Sequence, residues 1–223
     1  MKKYIAIAVA SLLLSGCKVG VETDVNTDDL QSTQQKEVSA DLNFEVASCS
    51  SSEDSRVESD SLLKIKSKIP TIFKDAEYVD CYSKNFNSFA HFKIPVSVGV
   101  RQKDVPFKND IYLYSDGNIL AGIGAKKELI SRIKQAERDM PSGMDFNITI
   151  NVIKGDSPLP KIVTVLGSFA DKTYPVLVRN LDFKIKKVPL TLSDVSVQSL
   201  LEDGAVPFMV KPDYFDVFKA NKE

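Results

Sequence analysis

The sequence predicts an α+β fold, in which antiparallel sheet is backed by two or three helices packed on one face. Three observations carry that expectation: strict apolar–polar alternation recurs along the chain, two stretches place apolar residues at helical spacing, and the segments between strands are of hairpin length. Each helical stretch is followed by two strands, so two similar halves are expected.

The elements follow in order. Val19, Val21, Thr23 and Val25 alternate with Gly20, Glu22 and Asp24, so residues 17–35 are either a first strand or a short tether. Asn26-Thr27-Asp28-Asp29-Leu30 has the capping residue and acidic first turn of a helix start. In Val38 to Ala47, Ala40, Leu42, Phe44 and Val46 face one way and Asp41, Asn43 and Glu45 the other, which predicts a strand with one wet face. Leu62, Ile65, Ile69 and Phe73 then recur at helical spacing, with Pro70 expected to kink or end the helix. Two strands, Ala76 to Tyr82 and Ser88 to Val98, read as a hairpin across Lys84-Asn85-Phe86-Asn87. A second hairpin is signalled by Asp116-Gly117 between apolar alternations.

Lys126 to Asp139 predicts a helix burying Leu129 or Ile130, Ile133 and Ala136, with Glu128 and Arg132 spaced for an i,i+4 ion pair. Phe146, Ile148, Ile150 and Val152 mark another one-sided strand. Ile162 to Leu166 and a long Val176 to Lys186 follow as strands, the latter with Leu181, Phe183 and Ile185 inward. From Val188 to Gly204 the pattern fits either a helix capped by Ser193 or an edge strand, and Val206 to Val210 forms a last strand. A globular domain is thus expected over 36–210, with a loosely held tail over 211–223.

The first residues impose a destination. Met1-Lys2-Lys3 is a basic start, and Tyr4 to Leu14 is an apolar run far short of the roughly 20 residues that span a bilayer. Leu14-Ser15-Gly16-Cys17 stands where a secretory cleavage site would be, and it resembles the lipobox of bacterial lipoproteins. The resemblance implies that residues 1–16 are a signal peptide, that the Cys17 thiol carries a diacylglyceryl group, and that the new amino terminus is acylated, commonly with palmitate. One acyl chain binds a membrane with only about 10⁴ M⁻¹, while each buried CH₂ adds about 0.8 kcal/mol, so two or three chains hold permanently. Lys18, in place of the aspartate that favours inner-membrane retention in enterobacterial lipoproteins, implies the outer membrane, its periplasmic face before the cell surface. The Cys-Lys start also resembles uncharacterised lipoproteins of enterobacteria and their prophages, some of which block superinfection by capping a phage receptor.

Removing Lys2 and Lys3 from the 29 basic residues leaves 27 against 30 acidic, a formal charge of −3 with no basic patch for nucleic acid. Cys49 and Cys81 remain in a chain expected to meet an oxidising compartment, so they are read as a disulfide. Catalytic and cofactor motifs are not met. His91 is the one histidine, no G-x-S-x-G elbow occurs, and a His/Cys metal site would have too few ligands. Asp24-x-Asn26-x-Asp28 begins like a calcium loop, but Asp29 and Gln35 stand where its glycine and closing glutamate belong. Gly122-Ile123-Gly124 precedes a helix as a phosphate turn would, yet Lys127 replaces the third glycine.

Function is therefore expected to be non-enzymatic: a membrane-anchored body, held through Cys17, that binds a neighbouring envelope component or protein. The tyrosine-bearing segments Tyr78–Tyr82 and Tyr112–Tyr114 are its candidate contact surfaces. A carrier of lipid or another apolar ligand is the alternative. A hydrolase built on His91 is the remote one.

Overall fold

Alternating side chains make strands when one face can be buried, and twelve strands form among the described residues. The computed structural model describes residues 17–139, 143–170, 180–182, 184 and 186–215. In chain order the elements are β1 (Cys17–Asn26), α1 (Thr27–Leu30), β2 (Lys36–Val46), α2 (Asp60–Ile72), β3 (Glu77–Lys84), β4 (Asn87–Val100), β5 (Ile111–Asp116), β6 (Ile119–Ala125), α3 (Lys127–Arg138), β7 (Met144–Ile153), β8 (Ile162–Val165), β9 (Ser168–Phe169), β10 (Asn180–Asp182), β11 (Lys187–Leu192), α4 (Asp194–Asp203) and β12 (Ala205–Val210). The signal segment 1–16, residues 176–179, 183 and 185 of the strand expected over 176–186, and the end of the tail lie outside the described residues; the described part of that strand is β10.

The strands form a single mixed sheet in the order β10-β8-β12-β6-β5-β4-β2-β1-β7-β11-β9, with β3 paired to the first part of β4. It curls into a half-barrel. This corrects the predicted α+β layout on three counts. The sheet is not all antiparallel, because β1 runs parallel to β7 over ten residue pairs and β4 runs parallel to β5. The two expected halves do not exist, since β1 sits between β2 from one and β7 from the other. Nor is there a helical layer on one face among the described residues, where four short helices accompany a structure that is mostly sheet.

Residues 17–26 are a strand, and an interior one. Val19, Val21 and Val25 enter the core beside Leu42 and Phe44 of β2, Ala90, Phe92 and Ile94 of β4, and Ile150 and Val152 of β7. On the polar side Asn151 donates to Glu22 and Asp24, while Thr149 and Thr191 share a hydrogen bond of 2.9 Å.

The helices fill and brace the curl. In α2, Ser59 caps through its hydroxyl to the Leu62 amide, and Leu62, Ile65 and Ile69 point inward. Pro70 does not stop this helix, which continues to Ile72; so near the C-terminus its missing N–H removes only one late hydrogen bond. The expected Glu128–Arg132 pair gives way to a tertiary contact, because Arg132 donates to the Ile72 carbonyl at 2.7 Å and pairs with Asp110, tying α3 to the end of α2. Of the two options for 188–204 the helix capped by Ser193 is realised as α4, whereas the strand before it, β11, is not an edge, because it lies between β7 and β9. Packed against β6 and β12 on one arm and β7 and β11 on the other, α4 occupies the mouth of the half-barrel. The chain itself crosses there: Gly167 joins β8 to β9, and its carbonyl accepts from the Ser193 amide and the Ser196 hydroxyl, both at 2.8 Å.

The Cys49–Cys81 disulfide is present and spans 32 residues. It fastens the loop after β2 to β3, which pairs only with β4 among the described residues. Replacing both cysteines with serine should destabilise the domain by about 3–4 kcal/mol, the chain-entropy value for a loop of this length. Urea unfolding with and without reductant measures it: reductant should shift the wild-type midpoint to that of the double variant and leave the variant unmoved.

Candidate functional site

Cys17 opens β1 and lies level with the end of β2. Its amide donates to the Gly143 carbonyl at 3.2 Å, and its residue pairs with Met144 of β7. The side chain is half-buried and its thiol is free. Beside it lies a surface groove of about 320 Å³ with an apolar floor of Phe44, Val46, Ala47 and Ile65, edged by Lys64, Lys68 and Asp139. That volume is at the low end of the roughly 300–1,000 Å³ typical of ligand sites.

The β3–β4 hairpin leaves the sheet at the same end. Val46 is opposite Ser88, Ser88 is opposite Ser83, and Lys84 and Asn87 close the turn. Its two central residues have positive φ, 51° at Asn85 and 67° at Phe86, the combination of a type I′ hairpin turn. Asparagine tolerates that region and glycine prefers it, whereas an L-residue with a bulky side chain is disfavoured by about 1–2 kcal/mol. Phe86 is nevertheless there, and it is fully exposed. The tetrapeptide marked the hairpin in the sequence, but nothing in it distinguished an ordinary turn from one displaying an aromatic ring.

Tyr112 and Tyr114 do not form a contact surface. Tyr114 is buried over Gly122 with Arg101 stacked 3.6 Å from its ring centre, and burial pushes its phenol pKa up. Tyr112 covers Gly124 and stacks on Phe107 at 4.5 Å. Gly122 and Gly124 are therefore seats for tyrosine rings, since a Cβ on either would overlap the ring above it. Tyr78 packs edge-on against Phe92, and Tyr82 stacks on Phe89 while its hydroxyl donates to Asn43.

His91 lies on the polar face of the sheet with its neighbours Ala90 and Phe92 buried on the other. One ring nitrogen is 2.6 Å from Asp41 and the other 3.2 Å from Asp80, so both face carboxylates rather than a hydroxyl nucleophile. Partial burial pushes the Asp41 carboxyl up, but hydrogen bonds and charge from Lys93 and His91 outweigh it, and the net shift is downward.

The calcium-like triplet is dispersed. Asp24 pairs with Lys187 at 2.8 Å, Asn26 caps α1 by accepting from the Asp28 amide at 2.8 Å, and Asp28 accepts from the amides of Asp156 and Ser157 at 2.9 and 2.8 Å. Asp28 thus latches the loop after β7 onto α1. Gly155 is required at that approach, because a Cβ there would strike the carboxylate. The two amides hold the Asp28 pKa below its ordinary value.

Residues 19–215 match the family model described as Domain of unknown function (DUF7424). No curated protein matches, and no solved structure does.

Two outcomes follow from this geometry. Phe86→Gly should stabilise the unlipidated domain by about 1 kcal/mol, since relief of backbone strain exceeds the added unfolded-state freedom. Thermal unfolding should then shift upward by about 2–4 °C. Because the Asp28 pKa is lowered on folding, its contribution is present above the ordinary carboxylate pKa and is lost as pH falls through the folded value. Asp28→Asn should therefore be less stable at neutral pH and lose less on acidification below about pH 4. Urea midpoints against pH for the two proteins test this, and parallel curves would contradict it.

Proposed function

The chain belongs to the DUF7424 family, and we propose that it is a lipid-anchored, non-enzymatic protein of the bacterial envelope that binds a membrane-proximal envelope component or protein. The observation that carries the proposal is that the lipobox cysteine already lies within an interior strand. Acyl chains on Cys17 would then leave no spacer between bilayer and fold. A body so held sits on the membrane, and its partner is whatever the same surface presents at high effective concentration. The compartment is the outer membrane, on its periplasmic face, and the oxidising setting agrees with a Cys49–Cys81 disulfide.

A broad polar face is available for that partner. Asp41, Asn43, His91, Lys93 and Tyr82 form a hydrogen-bonded surface across β2, β4 and β3. Such a network presents ordered donors and acceptors with little entropy left to lose on binding. The carrier reading draws on the apolar groove beside Cys17. Organic extraction of purified protein followed by mass spectrometry separates the two, because a carrier yields a stoichiometric non-covalent lipid and a binding module yields none.

Intact-mass analysis of membrane-fraction protein tests the anchor. The expected species begins at Cys17 and carries diacylglyceryl and acyl groups; a free thiol with the leader retained would refute the proposal. Cys17→Ser should move the protein to the soluble fraction. In-cell crosslinking of wild type should capture a partner that the soluble variant captures far less.

A further inference from the structure

We propose that the tip of the β3–β4 hairpin enters the membrane, with Phe86 seated among lipid headgroups and upper acyl carbons as a second, non-covalent contact. The inference rests on the proposed acylation of Cys17 and deepens it by fixing how the body stands on the bilayer.

Register places the tip. Val19 is opposite Phe44, so continuing that ladder by two residues sets Cys17 level with Val46, which is itself opposite Ser88. Phe86 lies two residues beyond Ser88 along the strand direction, about 7 Å at the usual rise per residue. It lies two strand spacings to the side, about 10 Å. A bilayer attached at Cys17 with no spacer is therefore met by the hairpin tip, whose overhang matches the roughly 5–10 Å to which apolar side chains enter the interface.

Composition and rigidity agree with that placement. Phe86 is fully exposed, in a turn where asparagine followed by glycine would fold better, so the ring is displayed against the local backbone preference. Lys84, beside it, can keep its ammonium among headgroups while its stem follows the ring. Val57, 53 % exposed, lies in the loop that leaves the same end of β2. That loop is joined to the hairpin by the Cys49–Cys81 disulfide, and Tyr82 stacked on Phe89 stiffens the hairpin base. A lipid surface is favoured over a protein pocket as the occupant because the tip overhangs the anchoring point itself.

The chain has no tryptophan, so Phe86→Trp introduces a single reporter. The full-length lipoprotein carrying it, with acylation verified by intact mass, is reconstituted into phosphatidylethanolamine–phosphatidylglycerol vesicles with and without brominated acyl chains. The indole of the Phe86→Trp protein should emit to the blue, be quenched several-fold more strongly by bromolipid than that of a Val105→Trp control beyond the opposite end of β4, and resist aqueous iodide. Acylated protein whose hairpin indole is open to iodide and indifferent to bromolipid would overturn the insertion while leaving the anchor intact. So would an indole shielded from iodide yet untouched by bromolipid, which would place the tip in a protein contact. Protein without acyl groups would overturn the anchor first and this inference with it.

Discussion

Two-sided pairing of β1 is the interaction on which the rest depends. Ten residues bond in parallel to β7 on one side while antiparallel β2 binds the other, so the earliest described segment holds together parts of the chain more than a hundred residues apart. Without it the run β10-β8-β12-β6-β5-β4-β2 and the run β7-β11-β9 would have no shared hydrogen-bond ladder. The valines of β1 also complete the apolar strip to which β2, β4 and β7 contribute. A parallel neighbour must be reached by a long crossover, and here residues 27–143 serve as that connection.

Much of this was legible in the sequence because much of it is local. Alternation identified β2 and β7, Asp116-Gly117 identified the β5–β6 hairpin, Lys84 to Asn87 the β3–β4 hairpin, and capping by Asn26 and Ser193 is a matter of a few residues. The mistakes are all non-local. Hairpin-length loops suggested antiparallel wiring, but loop length says nothing about the second neighbour of a strand, and β4 takes parallel β5 after pairing with β2 and β3. Arg132 matched a local ion-pair spacing and found the Ile72 carbonyl instead, because a partly buried guanidinium is better satisfied by a carbonyl and Asp110 together than by one exposed carboxylate. Helix–strand–strand order repeated in the sequence without any structural repeat beneath it.

The candidate site shows the same division. The Cys49–Cys81 pair was recognisable from residue type and number, but the strand register that puts a hairpin tip beyond Cys17 exists only in the folded sheet. Tyr112 and Tyr114, which looked like contact residues, turned out to pack over glycines, while a fully exposed aromatic, Phe86, was hidden inside a turn motif. Apparent chemistry dissolved in a similar way. The Asp24, Asn26 and Asp28 side chains each have their own backbone or lysine partner, and both His91 nitrogens are engaged by carboxylates.

The outer edge of β3 has a consequence for crowding. Molecules confined to a plane, as the proposed acylation of Cys17 would confine these, meet far more often than the same number in a volume, and an edge unpaired among the described residues invites sideways addition of one copy to the next. Here the ladder slips by one residue between Tyr78 and Asp80, and Glu77, Asp80 and Lys84 project charge along the strand. Irregular spacing and charge of both signs make such an edge a poor template for a neighbour. Two-dimensional density can then rise without the sheets fusing into ribbons.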